Sequence, residues 1–568
     1  MGVKLFLIVI GCVALIMSGI VYLITEVNPT HLASDAHYFS IGEYVAVIAL
    51  FLAFVQLVQP IHEFRLRVRG VKELSVFLSL ILCASYVIVA ACLPYFTKSD
   101  WSLAENPGYW QILAGIEIVA VALYLLWASQ LLVVFDKDNY ARYYGRSESF
   151  IARGNDEDLR KLGDEIYESI DDIFEYAKEF WNERDLLLST TGTSRDAPQY
   201  GAAATALLDV LSDRDFCRLL VTRVPATAYK CIEEATKQGA RKIGEPLIDQ
   251  IVNQAFCNKD SILFKEADYS GLGFRKSFTK LVFGNHRFVS LYRPLTAWSY
   301  RDRENARDWQ VEIYMSALNE SIQSYYQSRD FETYQSYLLG AEDVVTGMAR
   351  RAIHQIEDVG ENDLTGSNAT SILTRISIGL SNILDTVKEN DALLPNYNFD
   401  VENYDMFRDN SIYGAISNIL YKFMEALSQS KAHDSLVHTL FMHIWMEIFP
   451  RNEEPSRAER EIGKRLSIAL RDKIDENLDP ESPFYPAITR LLITLNGLPT
   501  PEILATENAR NEFLRDFYAK LRGNFIALEQ NYPDIAADML PKDVLYDKER
   551  RVLVKKGLRN RQQIFELT

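Results

Sequence analysis

Two carboxylates lie within long apolar stretches of this sequence. Glu117 belongs to the stretch ILAGIEIVAVALYLLWASQLLVVF at 112–135, and Glu43 lies near the start of a second one. Ionisable groups are costly in hydrocarbon, and those that occur there commonly belong to ion or proton pathways. We therefore expect Glu117 and Glu43 to attract cations to a pore formed by several subunits, because four helices rarely enclose a water-filled channel. A polar contact between helices is the alternative role for Glu117.

Polar side chains also occur near the other end of these stretches. Gln56 and Gln130 lie at matching depth in two different apolar segments, with Gln59 and Ser129 beside them. Amide and hydroxyl side chains at such positions hydrogen-bond between helices. We include Gln56 and Gln130 as pore candidates, although helix–helix contact is the favoured interpretation.

A glycine-rich segment offers a different kind of chemistry. Residues 269–294 read YSGLGFRKSFTKLVFGNHRFVSLYRP and combine glycines, aromatic residues and cations. Backbone N–H groups of a glycine turn, together with cationic side chains, can bind a phosphate. The candidate residues for phosphate or ligand binding are Gly271, Gly273, Arg275, Lys276, His286 and Arg287. The third glycine of a dinucleotide fingerprint is missing, and no P-loop motif occurs, so a structural turn is the favoured alternative.

Signatures of catalysis and metal binding are weak. The sequence contains no HExxH, no GxSxG and no CxxC motif. His443 and Glu447 are four residues apart and would share one face of a helix, but His438 would diverge from them. We therefore predict no catalytic residue, no metal site and no cofactor.

Four apolar segments are long enough to cross a bilayer, and they cover residues 5–24, 41–58, 74–93 and 112–135. About 20 helical residues span a hydrocarbon core of about 30 Å. The connection between the second and third segments contains Arg65, Arg67, Arg69 and Lys72, whereas the other two connections contain only Lys98. Basic residues stay on the cytoplasmic side. These features predict a four-helix transmembrane domain at 1–135 with both termini inside.

Composition constrains the rest of the chain. The protein has 568 residues and a formal net charge of −17, and most of the acidic residues follow residue 135. An acidic chain disfavours general nucleic-acid binding, which requires clustered positive charge. Six cysteines are scattered without paired spacing, which is typical of a reducing compartment.

Helical periodicity dominates after residue 135. Apolar residues recur every three or four positions at Leu159, Leu162, Ile166, Ile170, Ile173, Ala177 and Phe180. Such a stripe predicts an amphipathic helix that packs on its own domain, although it could also pack on a second copy or relay movement. Similar stripes begin at Ile372, Ile412 and Ile462, and the last follows a Ser456–Glu459 capping box.

We predict an all-α protein with a four-helix transmembrane domain followed by a large, mainly α-helical cytoplasmic region. The predicted divisions are a helical domain at 136–358 with an irregular insert near 260–300, a linker at 359–371, and a C-terminal helical domain at 372–568. The leading hypothesis is a multi-pass protein of the inner or plasma membrane, in which the cytoplasmic region senses a small-molecule or protein signal. That region would control a homo-oligomeric, cation-permeable membrane domain in the lipid bilayer. The alternatives are a membrane-tethered scaffold without transport activity and a membrane-anchored nucleotide-binding or enzymatic module.

Overall fold

The computed structural model describes most of the chain after residue 131 and a short stretch before it. The described residues are 60–70, 132–190, 198–268, 277–329, 340–358, 367–394, 411–429, 434–449, 455–476, 484–499, 509–556 and 562–567, with single residues at 116, 119, 338 and 409. This part is mainly α-helical. The all-α prediction is therefore confirmed for the fold as a whole.

The predicted membrane spans fall almost entirely outside these residues. Ile116 and Val119 are helical, and residues 132–136 have no regular secondary structure. Among the residues that the structure describes, no helix has both the length and the apolar character needed to cross a membrane. Residues 132–135, which the sequence assigns to the fourth predicted span, are not helical.

The chain divides into two compact units. The first comprises Met1–Gln238 and Lys242–Leu247, and the second comprises Gly239–Arg241 and Ile248–Thr568. This division differs from the linker that composition predicts at 359–371. Helices from both sides of that segment pack on each other within the second unit.

Six described helices build the first unit. They are α1 (Pro60–Val68), α2 (Tyr140–Arg153), α3 (Asp156–Thr190), α4 (Gln199–Leu211), α5 (Arg214–Thr222) and α6 (Pro225–Gln238). Helix α3 has 35 residues and begins with Asp156, Glu157 and Asp158, whose charges favour a helix N-terminus. It packs against α4, α5 and α6 and also contacts α1 and α2.

The apolar stripe of α3 forms the core of this unit. Leu159, Leu162, Ile166, Ile170, Ile173 and Ala177 are fully buried, and Phe180 is partly buried. Gly201 of α4 allows a close approach to α3, because a Cβ at this position would lie 2.8 Å from the Tyr176 carbonyl oxygen. The stripe therefore packs within its own unit, as the plain amphipathic interpretation predicts.

The second unit contains the remaining helices. They are α7 (Glu245–Cys257, from Ile248 onwards), α8 (Ile262–Asp268), α9 (Ser277–Val282), α10 (His286–Tyr292), α11 (Tyr300–Arg303), α12 (Asp308–Ser328), α13 (Ala341–Asp358), α14 (Asn368–Asn390), α15 (Ile412–Gln429), α16 (Asp434–Ile448), α17 (Arg457–Glu476), α18 (Phe484–Asn496), α19 (Ala509–Asn531) and α20 (Pro533–Asp538). Short 3₁₀ turns occupy Pro294–Thr296 and Asp391–Leu393. The described parts of the insert predicted near 260–300, residues 260–268 and 277–300, are thus mainly short helices.

Long helices supply the core of the second unit. The apolar stripes that begin at Ile372, Ile412 and Ile462 are buried on α14, α15 and α17. The predicted capping box is present, since the Glu459 N–H donates to Ser456 Oγ (3.2 Å) and the Ser456 N–H donates to Glu459 Oε2 (2.6 Å). These helices therefore begin and pack as their patterns predict.

The C-terminal helical domain predicted at 372–568 requires a correction at its end. Strands β1 (Val544–Asp547), β2 (Val552–Lys556) and β3 (Gln562–Glu566) form an antiparallel sheet in the order β1-β2-β3. One face packs on α19, where the Tyr518 and Phe565 ring centroids are 5.5 Å apart and those of Phe525 and Tyr546 are 5.1 Å apart. Their sequences, VLYD, VLVKK and QQIFE, do not alternate apolar with polar residues, so periodicity does not indicate strands here.

A buried arginine connects α15 and α17. The Arg465 side chain is 2% exposed, and its Nε and Nη1 atoms lie 2.5 Å from Asp409 Oδ2 and 2.6 Å from Glu461 Oε2. Its guanidinium lies 5.5 Å from the centroid of the Tyr413 ring. Two carboxylates thus share one buried cation, and each would lose its counter-charge if that cation were removed.

We expect Arg465→Gln to destabilise this part of the second unit by about 3 to 5 kcal/mol, because it leaves two buried carboxylates close together. Hydrogen–deuterium exchange of the α17 amides in the full-length protein measures this change as a loss of protection. Arg471→Gln is the matched control, since Arg471 is 36% exposed and pairs with Asp516 at 2.8 Å. Equal protection in the two variants would contradict the structural importance of the buried arginine.

Candidate functional site at the Glu165 junction

Among the described residues of the first unit, Glu165 on α3 is the most deeply buried carboxylate that pairs with a distant cation. Its side chain is 1% exposed, and the side chain of Arg65 on α1 is 15% exposed. Arg65 Nε donates to Glu165 Oε1 at 2.7 Å, and Arg65 Nη2 donates to the same oxygen. Arg65 belongs to the basic connection that the sequence places between the second and third predicted spans.

The same carboxylate also holds the last residues of the fourth predicted span. Glu165 Oε2 accepts a hydrogen bond from the Val133 N–H at 3.2 Å. One turn further along α3, Ser169 Oγ accepts from the Phe135 N–H at 3.1 Å. We call residues 132–136 the exit segment. Residues 60–70 and the exit segment both contact α2 and α3, and we call this set of contacts the Glu165 junction.

The backbone of the exit segment hydrogen-bonds to side chains and not to the backbone of a helix or a sheet. Arg69 Nη2 donates to the Leu132 carbonyl oxygen at 3.1 Å, and Asn139 Nδ2 donates to the Val134 carbonyl oxygen at 2.8 Å. Asn139 Oδ1 also accepts from the Asp136 N–H at 2.9 Å. These three contacts are exposed, whereas the Val133 and Phe135 N–H groups are buried, and a buried backbone group without a partner costs free energy. Together the contacts fix the path of a non-helical segment.

An aromatic cluster packs beside the ion pair. Phe64 of α1 is fully buried, with its ring centroid 5.3 Å from that of Tyr143 and 5.4 Å from that of Phe150. The Phe135 and Tyr143 rings are 5.5 Å apart in an edge-on arrangement. These geometries are favourable for aromatic pairs. The cluster therefore joins α1, α2 and the exit segment through apolar contact.

Tyr143 connects the apolar and polar parts of the junction. Its hydroxyl donates to Ser169 Oγ at 3.0 Å. Burial raises the pKa of Tyr143 well above its usual value, and the nearby charge of Glu165 adds to that shift. The phenol therefore stays protonated and acts as a hydrogen-bond donor.

The C-terminal end of α1 is fixed by α2. Arg142 Nε donates to the Val68 carbonyl oxygen at 2.8 Å. The helix is followed by Gly70, whose φ of +74° favours glycine. A Cβ at Gly70 would lie 3.2 Å from Arg142 Nη1. The connection before the third predicted span thus ends in a tight, defined turn.

The sequence identifies Arg65 as a topological signal but not Glu165, Ser169 or Tyr143 as its partners. Glu165 and Ser169 are four residues apart, and Asp172 and Tyr176 continue the same helical face. This polar face lies about 90° around α3 from the apolar stripe. This polar face is the one sequence signal that could have indicated a buried polar contact.

The intramembrane candidates remain predictions. Glu117, Glu43, Gln56 and Gln130 lie outside the described residues. Gly271, Gly273, Arg275 and Lys276 do so as well.

The end of the glycine-rich segment is well defined. His286 and Arg287 occupy the first turn of α10, where Asn285 Oδ1 accepts from the Phe288 N–H at 3.3 Å. The buried Glu266 carboxylate accepts from the Phe278 and Thr279 N–H groups at 2.6 and 2.9 Å. Glu266 thereby holds the start of α9, which lies within the glycine-rich segment.

His443 and Glu447, which the sequence places on one face of a helix, contact each other. His443 Nε2 lies 3.1 Å from Glu447 Oε1, and Ser381 Oγ donates to the same oxygen at 2.5 Å. Burial raises the pKa of Glu447. Within the described ranges, no group of three or more His, Cys, Asp or Glu side chains is arranged to hold a metal ion.

We expect Arg65→Gln and Glu165→Gln each to reduce the free energy of opening the junction by about 3 kcal/mol, because each leaves a buried partner without its counter-charge. In the double variant, the loss should be smaller than the sum by about 1 to 3 kcal/mol, since the two residues interact directly. Hydrogen–deuterium exchange at the amides of Val133 and Phe135 reports the opening.

The control cycle uses Lys161 and Glu157, a pair on the same helix at 3.2 Å in which Glu157 is 56% exposed. Their glutamine variants should leave exchange at Val133 and Phe135 unchanged, because exposed pairs contribute little. Strictly additive effects of Arg65→Gln and Glu165→Gln would contradict the direct pairing.

Relatives of known function would be the other source of information about this junction. No protein-family model, no curated protein and no solved structure matches this chain. Its function is therefore inferred from its own residues and their geometry.

Proposed function

We propose that this chain is a multi-pass membrane protein whose helical region senses a signal on the cytoplasmic side and controls an oligomeric membrane domain through the Glu165 junction. The observation that carries this proposal is the convergence of residues 60–70 and the exit segment on one buried carboxylate. These two segments flank the third and fourth predicted spans. A pair of crossings returns the chain to its starting side, so their contact supports the predicted topology.

The geometry of α3 supports a role in transmission. A helix of 35 residues is about 50 Å long, and its apolar stripe packs on α4, α5 and α6. Its neighbouring polar face holds both segments that lead to the predicted spans. A displacement of α3 would therefore move both connections together, as a coupled two-state element requires.

A simple tether explains less of this geometry. A membrane-bound scaffold requires only the covalent connection after the fourth predicted span. Here the connection at 60–70 is docked as well, with a buried ion pair and an aromatic cluster. Burying a charge costs free energy unless it is paired, and a contact of this kind specifies one relative position of the two segments.

The membrane domain is the more specific part of the proposal. We propose that Glu117, with Glu43, Gln56 and Gln130, lines or borders a cation-permeable path in a homo-oligomer embedded in the lipid bilayer of the inner or plasma membrane. The signal would be a cytosolic small molecule or protein. The anchored scaffold and the nucleotide-binding or enzymatic module are the alternatives that the following experiments separate.

Opening the junction should release control of the membrane domain. We expect Glu165→Gln to raise the resting cation flux of full-length protein in vesicles by about five- to 150-fold, the range for a coupling free energy of 1 to 3 kcal/mol. Glu117→Gln on that background should abolish the added flux. A potential-sensitive dye in vesicles with an imposed cation gradient measures both effects.

Glu157→Gln is the matched control, because Glu157 lies on the same helix and its side chain is 56% exposed. It should leave the flux unchanged. Flux that is absent from every variant would contradict the cation-permeable domain. Flux that is equal in Glu165→Gln and wild type would contradict control through the junction.

The oligomer can be tested independently. We expect a defined ring of several subunits when the mass of the full-length protein is measured in mild detergent by light scattering, with the detergent contribution subtracted. Four helices per subunit can surround a pore only when several subunits contribute. A monomer preserved under gentle extraction would contradict the pore and favour the scaffold or the anchored enzyme.

A further inference from the structure

A surface groove lies beside the exit segment, within the first unit. Its volume is about 430 Å³. The lining residues are Arg69, Leu132, Val133, Val134, Phe135, Asp136, Asn139, Asp172 and Tyr176. This volume falls within the range of small-molecule sites. The groove therefore has room for a ligand of the size of a lipid headgroup.

The groove wall carries charges of both signs. Arg69 supplies a guanidinium, and Asp136 and Asp172 supply two carboxylates. Burial raises the pKa of Asp172, and the negative charges of Asp171, Glu175 and Asp136 raise it further, against a smaller opposing effect of Lys230. A cation placed beside these carboxylates would relieve their repulsion.

Nearby lysines make their own contacts. Lys137 Nζ lies 4.0 Å from Glu179 Oε2, and it lies over the Tyr176 and Tyr200 rings at 5.1 and 4.6 Å from their centroids. Lys230 Nζ lies 3.0 Å from Asp171 Oδ1. These two ammonium groups thus pair with Glu179 and Asp171, whereas Asp136 and Asp172 line the groove.

The rim of the groove is apolar and exposed. Leu132 is 48% exposed and Val134 is 41% exposed, whereas Val133 and Phe135 between and after them are 4% and 1% exposed. Leu132 and Val134 therefore point outward, whereas the junction holds Val133 and Phe135 inward. Exposed apolar side chains beside a charged site are typical of a surface that contacts a lipid or another protein.

The position in the chain favours a lipid. Leu132 lies at the cytoplasmic end of the fourth predicted span, and Arg69 precedes the third by a few residues. On the proposed function, both residues are at the depth of the headgroups of the cytoplasmic leaflet. Cations at this level contact lipid phosphates, and apolar side chains insert beside the acyl chains.

We propose that the groove binds the headgroup of an amine-bearing, zwitterionic phospholipid of the cytoplasmic leaflet. Arg69 holds the phosphate, Asp136 and Asp172 hold the ammonium, and Leu132 and Val134 contact the first part of the acyl chains. The two carboxylates select against purely anionic headgroups, which carry no cation for them. This inference rests on the proposed membrane location.

Photo-crosslinking tests the site in the full-length protein. Val134 is replaced by p-benzoylphenylalanine, and the protein is reconstituted in vesicles of equal parts phosphatidylethanolamine and phosphatidylglycerol. After irradiation, mass spectrometry identifies the attached lipid. We expect phosphatidylethanolamine to exceed its share in the vesicle. Leu132 provides a second labelling position if the first disturbs the protein, and exposed Tyr300 provides a control position without attached lipid.

A pair of variants on α3 tests the role of the carboxylate. Asp172→Asn should reduce the ratio of attached phosphatidylethanolamine to attached phosphatidylglycerol by about two- to fivefold, as expected for one partly exposed ion pair. Glu157→Gln is the matched control and should leave the ratio unchanged, because Glu157 lies on the same helix, is 56% exposed and is 15 residues from Asp172.

Lipid attached in proportion to vesicle composition, or no lipid attached at 132 and 134, would overturn the site. Vesicle flotation separates this result from a failure of the proposed function. Protein that floats with the vesicles but gives either result contradicts the groove alone. Protein that does not float contradicts the membrane location itself.

Discussion

The first unit depends on a buried carboxylate that has two partners from distant parts of the chain. Glu165 accepts from the Arg65 side chain with one oxygen and from the Val133 backbone with the other. Electrostatic interactions are strong in a buried environment, and an unpaired charge there is correspondingly costly. Neither segment can therefore leave Glu165 without exposing the other partner or bringing water into the junction. Residues 60–70 and the exit segment are in this sense one structural element.

Helix α3 can hold residues 60–70 and the exit segment because two of its faces make different contacts. Its apolar stripe is buried against α4, α5 and α6, which fixes the helix in the first unit. The adjacent face presents Glu165, Ser169, Asp172 and Tyr176 to the exit segment and the groove. A long helix fixed along one face transmits displacement with little bending. The same face thus serves the proposed control of the membrane domain and the proposed lipid contact.

Local patterns were sufficient for most of the helical architecture. The stripes at Leu159, Ile372 and Ile462 are buried as their spacing predicts, and the Ser456–Glu459 capping box forms. These features depend on residues within one or two turns of a helix, which the sequence shows directly. The sheet at Val544–Glu566 was not predicted, because its strands do not alternate apolar with polar residues. The division into two units also differs from the loop-rich segment at 359–371, since loop composition does not reveal which helices pack together.

The sequence by itself determined that the chain after residue 135 is mainly helical, which faces of its helices are apolar, and that Arg65 belongs to a basic connection between apolar segments. Only the tertiary structure decided that Arg65 pairs with a residue 100 positions away. The physical reason is that helical periodicity specifies which side of an element is buried, but it does not specify the partner. Glu165 is one of many acids on α3, and it became distinct only when packing removed it from water and brought Arg65 and Val133 to its two oxygens.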